Sequence, residues 1–254
     1  MKTNIIASLP LALLAYFPTG LNAQVSIQAG QMSYQQNFDR LGTARNETAG
    51  GTGGDLKEWK NNKILHGWYA QLSNGQSHYI IGNGSVRTGL VPSIRNYGSY
   101  STDTKHAGPP EDRALGLIAG TIAHKQSGAL CLVFRNMSEK PISRLDMSFN
   151  VEQWRRNTLA SSLEFSSRKA KTIPNEFLDD EGWQHDAGLS YGKAEAGQLS
   201  GLDGNSKPYQ TAISGAHVLE APLTPGEYLI LRWKIPPTNS GSGLAIDDLA
   251  ISFQ

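Results

Sequence analysis

The most constraining feature of this sequence is a strict two-residue alternation in residues 145–152 (LDMSFNVE). Leu145, Met147, Phe149 and Val151 are apolar, and the residues between them are polar. Because side chains of a β-strand point alternately to its two faces, this period indicates a strand with one buried face and one polar face. A chain built on such strands must bury one face of its sheet against a second layer.

The same period recurs in residues 228–235, where Leu, Trp and Ile side chains alternate with Arg232 and Lys234. In residues 243–254 the alternation changes phase at Asp247-Asp248, which predicts a β-bulge at this acidic pair. Turn residues punctuate the chain and helical periodicity is confined to short windows. We therefore predict an all-β fold, a two-sheet antiparallel β-sandwich (jelly roll) of roughly 10 to 14 strands.

The N-terminus has the order of an export signal. A basic start at Lys2 precedes an apolar run over residues 5–17, and small residues follow as far as Ala23. Cleavage after Ala23 predicts a signal peptide over residues 1–23 and a secreted or periplasmic mature protein, a single domain over residues 24–254. The apolar run is shorter than a spanning helix, and no later segment is long enough, so we expect no membrane span.

Overall charge and cysteine content exclude several classes of protein. The 23 basic and 22 acidic side chains nearly balance, so the sequence predicts no nucleic acid partner. The single cysteine, Cys131, lies in the apolar run of residues 128–134 and is interpreted as a core side chain rather than a nucleophile. The predicted fold is therefore stabilised by packing, without an intrachain disulfide.

Several segments resemble one family of proteins. They are NFDRLG at 37–42, GWYA at 67–70, DRALG at 112–116, EQWR at 152–155, LRW at 231–233 and GLAIDDLAISF at 243–253. In this order they resemble a family of exported bacterial jelly-roll β-sandwich domains of unknown function, similar in style to concanavalin-like and laminin-G-like domains. The resemblance implies the fold of nearly the whole mature chain, and it implies no activity.

Residues 152–156 (EQWRR) suggest a binding site for sugars. Continuing the alternation places Glu152 and Trp154 on the face opposite the apolar stripe, where a ring between charged groups could cover a sugar and bind its hydroxyls. The alternative is that a loop covers Trp154 while an arginine pairs with a buried carboxylate. The predicted ligand-binding residues are Arg113, Glu152, Trp154, Arg155 and Arg232.

Three aspartates suggest a calcium site. Asp247 and Asp248 begin the closing strand, and Asp39 ends the opening strand, which in jelly rolls commonly lies beside it. With backbone carbonyls, these carboxylates could supply the six to eight oxygens that Ca²⁺ prefers. Alternatively, they accept hydrogen bonds at the bulge or pair with Arg113 or Arg232.

Catalysis is left open by the sequence. A glycosidase needs two carboxylates facing one cleft. The sequence does not show the acidic i, i+2, i+4 strand pattern of the jelly-roll glucanases, although carboxylates are available at Glu152, Glu164, Asp179, Asp180, Glu181 and Asp186. A lyase could use His185 or Tyr191 with Arg113, and no Gly-x-Ser-x-Gly or His-Glu-x-x-His motif is present.

The leading interpretation is a secreted non-catalytic binding module for a polysaccharide or cell-surface glycan. One alternative is a carbohydrate-active enzyme, either a glycoside hydrolase or a polysaccharide lyase, on the same fold. The other is a structural or adhesive module without a small ligand. An exposed aromatic platform favours binding, converging titratable groups in a deep cleft favour an enzyme, and a buried Trp154 without a cleft favours the structural module.

Overall fold

The computed structural model describes residues 24–41, 57–82, 92–98, 112–121, 123–192 and 194–254. The predicted signal peptide, residues 1–23, lies outside these ranges. Within them, no helix is both long and apolar enough to cross a bilayer.

The described residues form fifteen β-strands and one short 3₁₀ turn, Lys207–Tyr209. The strands are β1 (Val25–Ile27), β2 (Ser33–Gln36), β3 (Lys57–Glu58), β4 (Trp68–Leu72), β5 (His78–Gly82), β6 (Ser93–Gly98), β7 (Arg113–Ile118), β8 (Gln126–Asn136), β9 (Ile142–Arg156), β10 (Leu163–Ala170), β11 (Gln184–Tyr191), β12 (Ser200–Gly201), β13 (Gln210–Leu223), β14 (Tyr228–Thr238) and β15 (Gly243–Phe253).

These strands form the two sheets of a β-sandwich, as the sequence predicts. The six-stranded sheet has the order β1-β8-β14-β10-β11, and β4 also pairs with β8. The nine-stranded sheet has the order β12-β9-β15-β7-β6-β5-β3, with β13 added beside β9 and β2 beside β15. The prediction of antiparallel sheets holds for most pairs, but β1 with β8 and β5 with β6 run parallel. The number of strands described is also slightly larger than expected.

The main core lies between the two sheets. Trp68 and Trp233 of the six-stranded sheet stack at 5.7 Å between ring centroids, and Phe149 of the nine-stranded sheet meets Trp233 edge-on. All four apolar residues of the 145–151 stripe lie in this core. Burying each such side chain contributes about 1.5–3 kcal/mol, so the alternation that predicts the strand also stabilises the sandwich.

The predicted bulge is present in β15. The register between β15 and β9 shifts between Asp247 and Ala250, and Asp248 has a positive φ of 49°. One extra residue reverses which side chains face inward, so Ile246 and Leu249 both reach the core despite the change of phase.

A second apolar cluster covers the outside of the six-stranded sheet. Residues 171–183, which we call the outer loop, place Phe177 and Trp183 over Cys131 and Ile230. Cys131 is fully buried, and this burial raises the pKa of its thiol well above the ordinary value. The interpretation of Cys131 as a core side chain is confirmed.

Candidate functional site

The five side chains predicted to bind a ligand are all buried. Trp154 is 1 % exposed and stacks on Tyr97, with 5.6 Å between centroids and 1° between ring planes. Gly204 lies so close to the other side that an added Cβ would be 2.3 Å from Trp154 Nε1. Of the two interpretations of residues 152–156, this burial favours the one in which a loop covers Trp154, because the loop that contains Gly204 lies against the ring.

The three arginines of the predicted set contact other parts of the protein. Arg113 donates from Nη2 to the backbone carbonyl of Asn96, and Arg155 lies on β9 opposite Gly243. Arg232 donates from Nη1 to two carbonyls of the outer loop and lies 3.7 Å from the centre of the Trp183 ring. The positive charge of Arg232 therefore anchors the outer loop rather than facing solvent.

Glu152 is a buried carboxylate with two side-chain partners. Its Oε2 accepts a hydrogen bond from Trp154 Nε1 at 2.8 Å, and its Oε1 accepts one from Gln210 Nε2 at 3.1 Å. Burial nevertheless raises the pKa of Glu152 to about 7, since these two bonds offset the loss of solvation only in part.

Asp247 is buried without side-chain hydrogen bonds like those of Glu152. The residue is 0 % exposed, and neither carboxylate oxygen meets hydrogen-bond geometry with any described residue. Burial first, and the nearby charge of Glu152 second, raise the pKa of Asp247 to about 10. Burying a polar group without a partner costs free energy. A bound proton or cation at Asp247 would lower this cost.

Of the other two predicted calcium ligands, Asp248 follows Asp247 in the sequence and Asp39 lies near Asp248. Asp248 accepts a bond from Asn150 Nδ2 at 2.9 Å, and burial together with the charges of Asp112 and Asp39 raises its pKa. Asp39 accepts the backbone N–H of Arg113 at 3.1 Å. We call Asp39, Asp112, Glu152, Asp247 and Asp248 the acidic cluster. In the described part of the chain, no three acidic, histidine or cysteine side chains are arranged to hold a metal ion by themselves.

A surface with polar side chains beside exposed apolar area lies on the outer face of the nine-stranded sheet. Strands β2, β15, β9 and β13 are neighbours there, and their register aligns Gln35, Ala250, Ser148 and Ser214 in one row. Two cavities, of about 590 Å³ and 560 Å³, adjoin this row and share Gln35 and Ala250 in their linings. We call this surface the polar groove.

Charged groups flank the row in the polar groove. Arg40 and Asp248 line the first cavity, and Arg144 and Asp146 line the second. Arg144 Nη2 donates to Asp146 Oδ1 at 2.6 Å, which holds that carboxylate in place. Amide, hydroxyl, carboxylate and guanidinium groups together can both donate to and accept from the hydroxyls of a ligand.

Sequence reasoning missed the polar groove, although part of its signal was visible. The alternation of residues 145–152 places Asp146 and Ser148 on the polar face of β9. It does not say which strands lie beside β9. Gln35 and Ser214 come from distant parts of the sequence, and only the sheet order brings them together.

The residues considered for catalysis are not brought together. His185 and Tyr191 lie on β11 in the six-stranded sheet, whereas Arg113 lies on β7 in the nine-stranded sheet. Glu164 and Glu152 are separated in the same way, on β10 and β9. The predicted lyase set and this carboxylate pair therefore do not share one sheet face.

Comparison with known proteins adds a likeness of fold. No family model matches the sequence, and no curated protein matches it. The K1 cleaved adhesin domain of Lys-gingipain from Porphyromonas gingivalis W83 is 12 % identical, with 87 % of this chain and 98 % of that chain covered and a TM-score of 0.40. A xylan-binding domain from CBM 22 is 8 % identical, with coverage of 74 % and 88 % and a TM-score of 0.35.

The enzymatically active domain of tailspike protein 4 from bacteriophage CBA120 is 11 % identical. The match covers 74 % of this chain and 19 % of the tailspike chain, with a TM-score of 0.33, so this chain spans about a fifth of the tailspike chain's length. These likenesses concern the fold alone.

Proposed function

We propose that this protein is a secreted module that binds a polysaccharide or cell-surface glycan along the polar groove without cleaving it. The observation that carries the proposal is that two adjoining cavities lie on one row of outward side chains from four neighbouring strands. The export signal read from the sequence would bring the groove to extracellular glycans.

The construction of the groove suits a chain of hydroxyl-rich units. Gln35, Ser148 and Ser214 are exposed or half-exposed and are fixed by their strands, so little backbone ordering is needed when a ligand binds. The pair Arg144 and Asp146 offers a donor and an acceptor on the same rim. Glycan binding here would depend on many hydrogen bonds rather than on stacking against a ring.

The test uses the purified mature protein and a panel of soluble polysaccharides, with retardation on native gels as the readout. Ser148→Leu places an apolar side chain in the centre of the row and should abolish retardation. Ser143→Leu is the matched control, because Ser143 is exposed on the same strand but does not line either cavity. The proposal is wrong if no polysaccharide retards the wild type, or if Ser148→Leu is retarded as strongly as Ser143→Leu.

We also propose that Ca²⁺ binds at the acidic cluster, with Asp247 and Asp248 as direct ligands and the charge of Asp39 nearby. The support is the buried carboxylate of Asp247, which has no side-chain hydrogen-bond partner among the described residues while other carboxylates lie near it. A divalent cation would remove the repulsion between these groups, and backbone or water oxygens would complete its coordination.

The calcium proposal is tested by thermal unfolding in excess Ca²⁺, in excess Mg²⁺ and in chelator. Ca²⁺ should raise the melting temperature of the wild type and leave that of Asp247→Asn unchanged, because only a ligand that binds the folded state stabilises it. Asp180→Asn, in the outer loop, should keep the full response to Ca²⁺. Equal melting temperatures of the wild type in Ca²⁺ and in chelator would contradict the proposal.

A further inference from the structure

A serine, a histidine and an aspartate from three strands form a continuous hydrogen-bonded chain. Ser167 Oγ lies 2.7 Å from His217 Nε2, and His217 Nδ1 lies 2.8 Å from Asp186 Oδ2. Ser167 belongs to β10, Asp186 to β11 and His217 to β13, so the chain joins the two sheets where their edges meet. This order of groups is the one by which a histidine base activates a serine nucleophile.

The partners of Asp186 fix the tautomer of the histidine. Asp186 Oδ1 accepts the backbone N–H of Gly188 at 2.9 Å, which leaves Oδ2 directed at His217. Because a carboxylate accepts hydrogen bonds, Nδ1 carries the ring proton, and the lone pair of Nε2 faces the hydroxyl of Ser167. The imidazole is 1 % exposed and meets Phe165 edge-on at 5.4 Å, so packing holds the ring in this orientation.

A small cavity of about 220 Å³ lies beside the serine. Ser167 and Lys169 line it from β10, and Leu219 and Glu220 line it from β13. Ser167 is buried and Lys169 is half-buried, so the cavity opens outward along β10. Pockets for drug-sized ligands are generally larger, and this volume suits a short acyl group.

Charged groups of both signs line the same cavity, among them Lys169 and Glu220. Ser167 and Lys169 are two residues apart on β10 and therefore point to one face. Lys169 Nζ donates to the carbonyl of Pro222 at 2.8 Å, which places the ammonium group across the gap between the sheets. Arg168 also contributes to the lining, but its guanidinium group points to the other face of β10 and donates to the carboxylate of Asp179. The Lys169 ammonium group, which also lies 3.9 Å from Glu227 Oε2, would favour the oxyanion that forms when a carbonyl is attacked.

We propose that Ser167 is the nucleophile of an acyl-transfer site for short carboxylic esters. Ser167 Oγ forms a bond to the acyl carbon while its proton passes to His217 Nε2. The ester C–O bond then breaks, and the leaving alcohol takes the proton from Nε2. Water attacks the acyl-serine, gives a proton to Nε2, and releases the carboxylic acid as Oγ regains its proton. Asp186 is a positioning residue, since it acts through His217.

This site is separate from the polar groove. His217 and Ala216 are consecutive on β13 and point to opposite faces, and Ala216 lines a groove cavity while His217 faces Ser167. The esterase proposal therefore does not depend on glycan binding.

The experiment treats the full mature protein with phenylmethylsulfonyl fluoride and locates the adduct by peptide mass spectrometry, with p-nitrophenyl acetate hydrolysis measured in parallel. Ser167→Ala should lose both the adduct and the hydrolysis. Ser166→Ala is the matched control, because Ser166 is equally buried next to Ser167, but its Oγ accepts a bond from Arg232 on the opposite face. That variant should keep both. Asp186→Asn should slow labelling by about 10³–10⁴-fold and change its dependence on pH, because the ring tautomer is no longer fixed.

An unlabelled wild type, an adduct on any residue other than Ser167, or hydrolysis that persists in Ser167→Ala would overturn the proposal. An Asp186→Asn variant that is labelled at the wild-type rate would overturn the positioning role. If Ser167→Ala fails to fold, as judged by its melting curve, the site of the adduct on the wild type decides the matter.

Discussion

Replacing Glu152 by glutamine should stabilise the protein at alkaline pH and have almost no effect at acid pH. Burial raises the pKa of Glu152 from an ordinary 4.5 to about 7, so the folded state binds this proton more tightly than the unfolded chain does. The resulting stabilisation is complete below about pH 4.5 and is lost as the pH rises through about 7. The difference between the two pKa values corresponds to about 3 kcal/mol.

Glutamine at this position stays neutral at every pH. Its carbonyl can accept from Trp154, and its amide can donate to Gln210 once the Gln210 amide is turned over. The neutral glutamine also removes the charge that helps to raise the pKa of Asp247, and this favours the variant in the same direction at alkaline pH. We therefore expect the variant to equal the wild type near pH 4.5 and to exceed it by about 3 kcal/mol at pH 8.

The assay is urea unfolding followed by tryptophan fluorescence, in chelator, at several values of pH between 4.5 and 8. Glu139→Gln serves as the control, because Glu139 is exposed and should give a small difference that is the same throughout. A difference between Glu152→Gln and the wild type that does not change with pH would refute the reasoning. A variant that becomes less stable as the pH rises would refute it as well.

Three further changes test the packing. Gly204→Ala should cost about 1–3 kcal/mol in urea unfolding because the new methyl group meets the ring of Trp154, whereas Gly192→Ala, with nothing within 4 Å, should cost little. The thiol of Cys131 should react with Ellman's reagent only after unfolding, and rapid reaction of the native protein would contradict its burial. Arg232→Met should lower the free energy of unfolding by about 2–4 kcal/mol and make the outer loop more sensitive to proteases, because the loop carbonyls lose their donor. Unchanged proteolysis would show that the loop is held by its apolar contacts.

The fold was predictable because apolar and polar residues alternate along its longer strands. The stripe from Leu145 to Val151 faces the core as expected, and the phase change at Asp247-Asp248 marks a real bulge. The parallel pairing of β1 with β8 could not be foreseen. The three residues of β1 are too few to show an alternation, and their partner depends on which strand lies at the free edge of the sheet.

The candidate sites were harder to predict than the fold. The alternation correctly predicted that Trp154 lies on the face of β9 away from the main core. Whether that face is exposed depends on the segments that cover it, and the loop that contains Gly204 covers Trp154. Ser167, Asp186 and His217 are far apart in the sequence and share no motif. Their proximity follows from the meeting of two sheet edges, which no local pattern records.

The position of β15 has a consequence for how the chain acquires its structure. This strand pairs with β2, β7 and β9. A segment near residue 250 is therefore paired with a strand that begins at residue 33. During synthesis, β2 has no partner until about 215 further residues have been made. Contacts so distant in sequence close slowly, and the exposed edges of early strands favour aggregation. We therefore expect the nine-stranded sheet to form only after residues 243–253 are available.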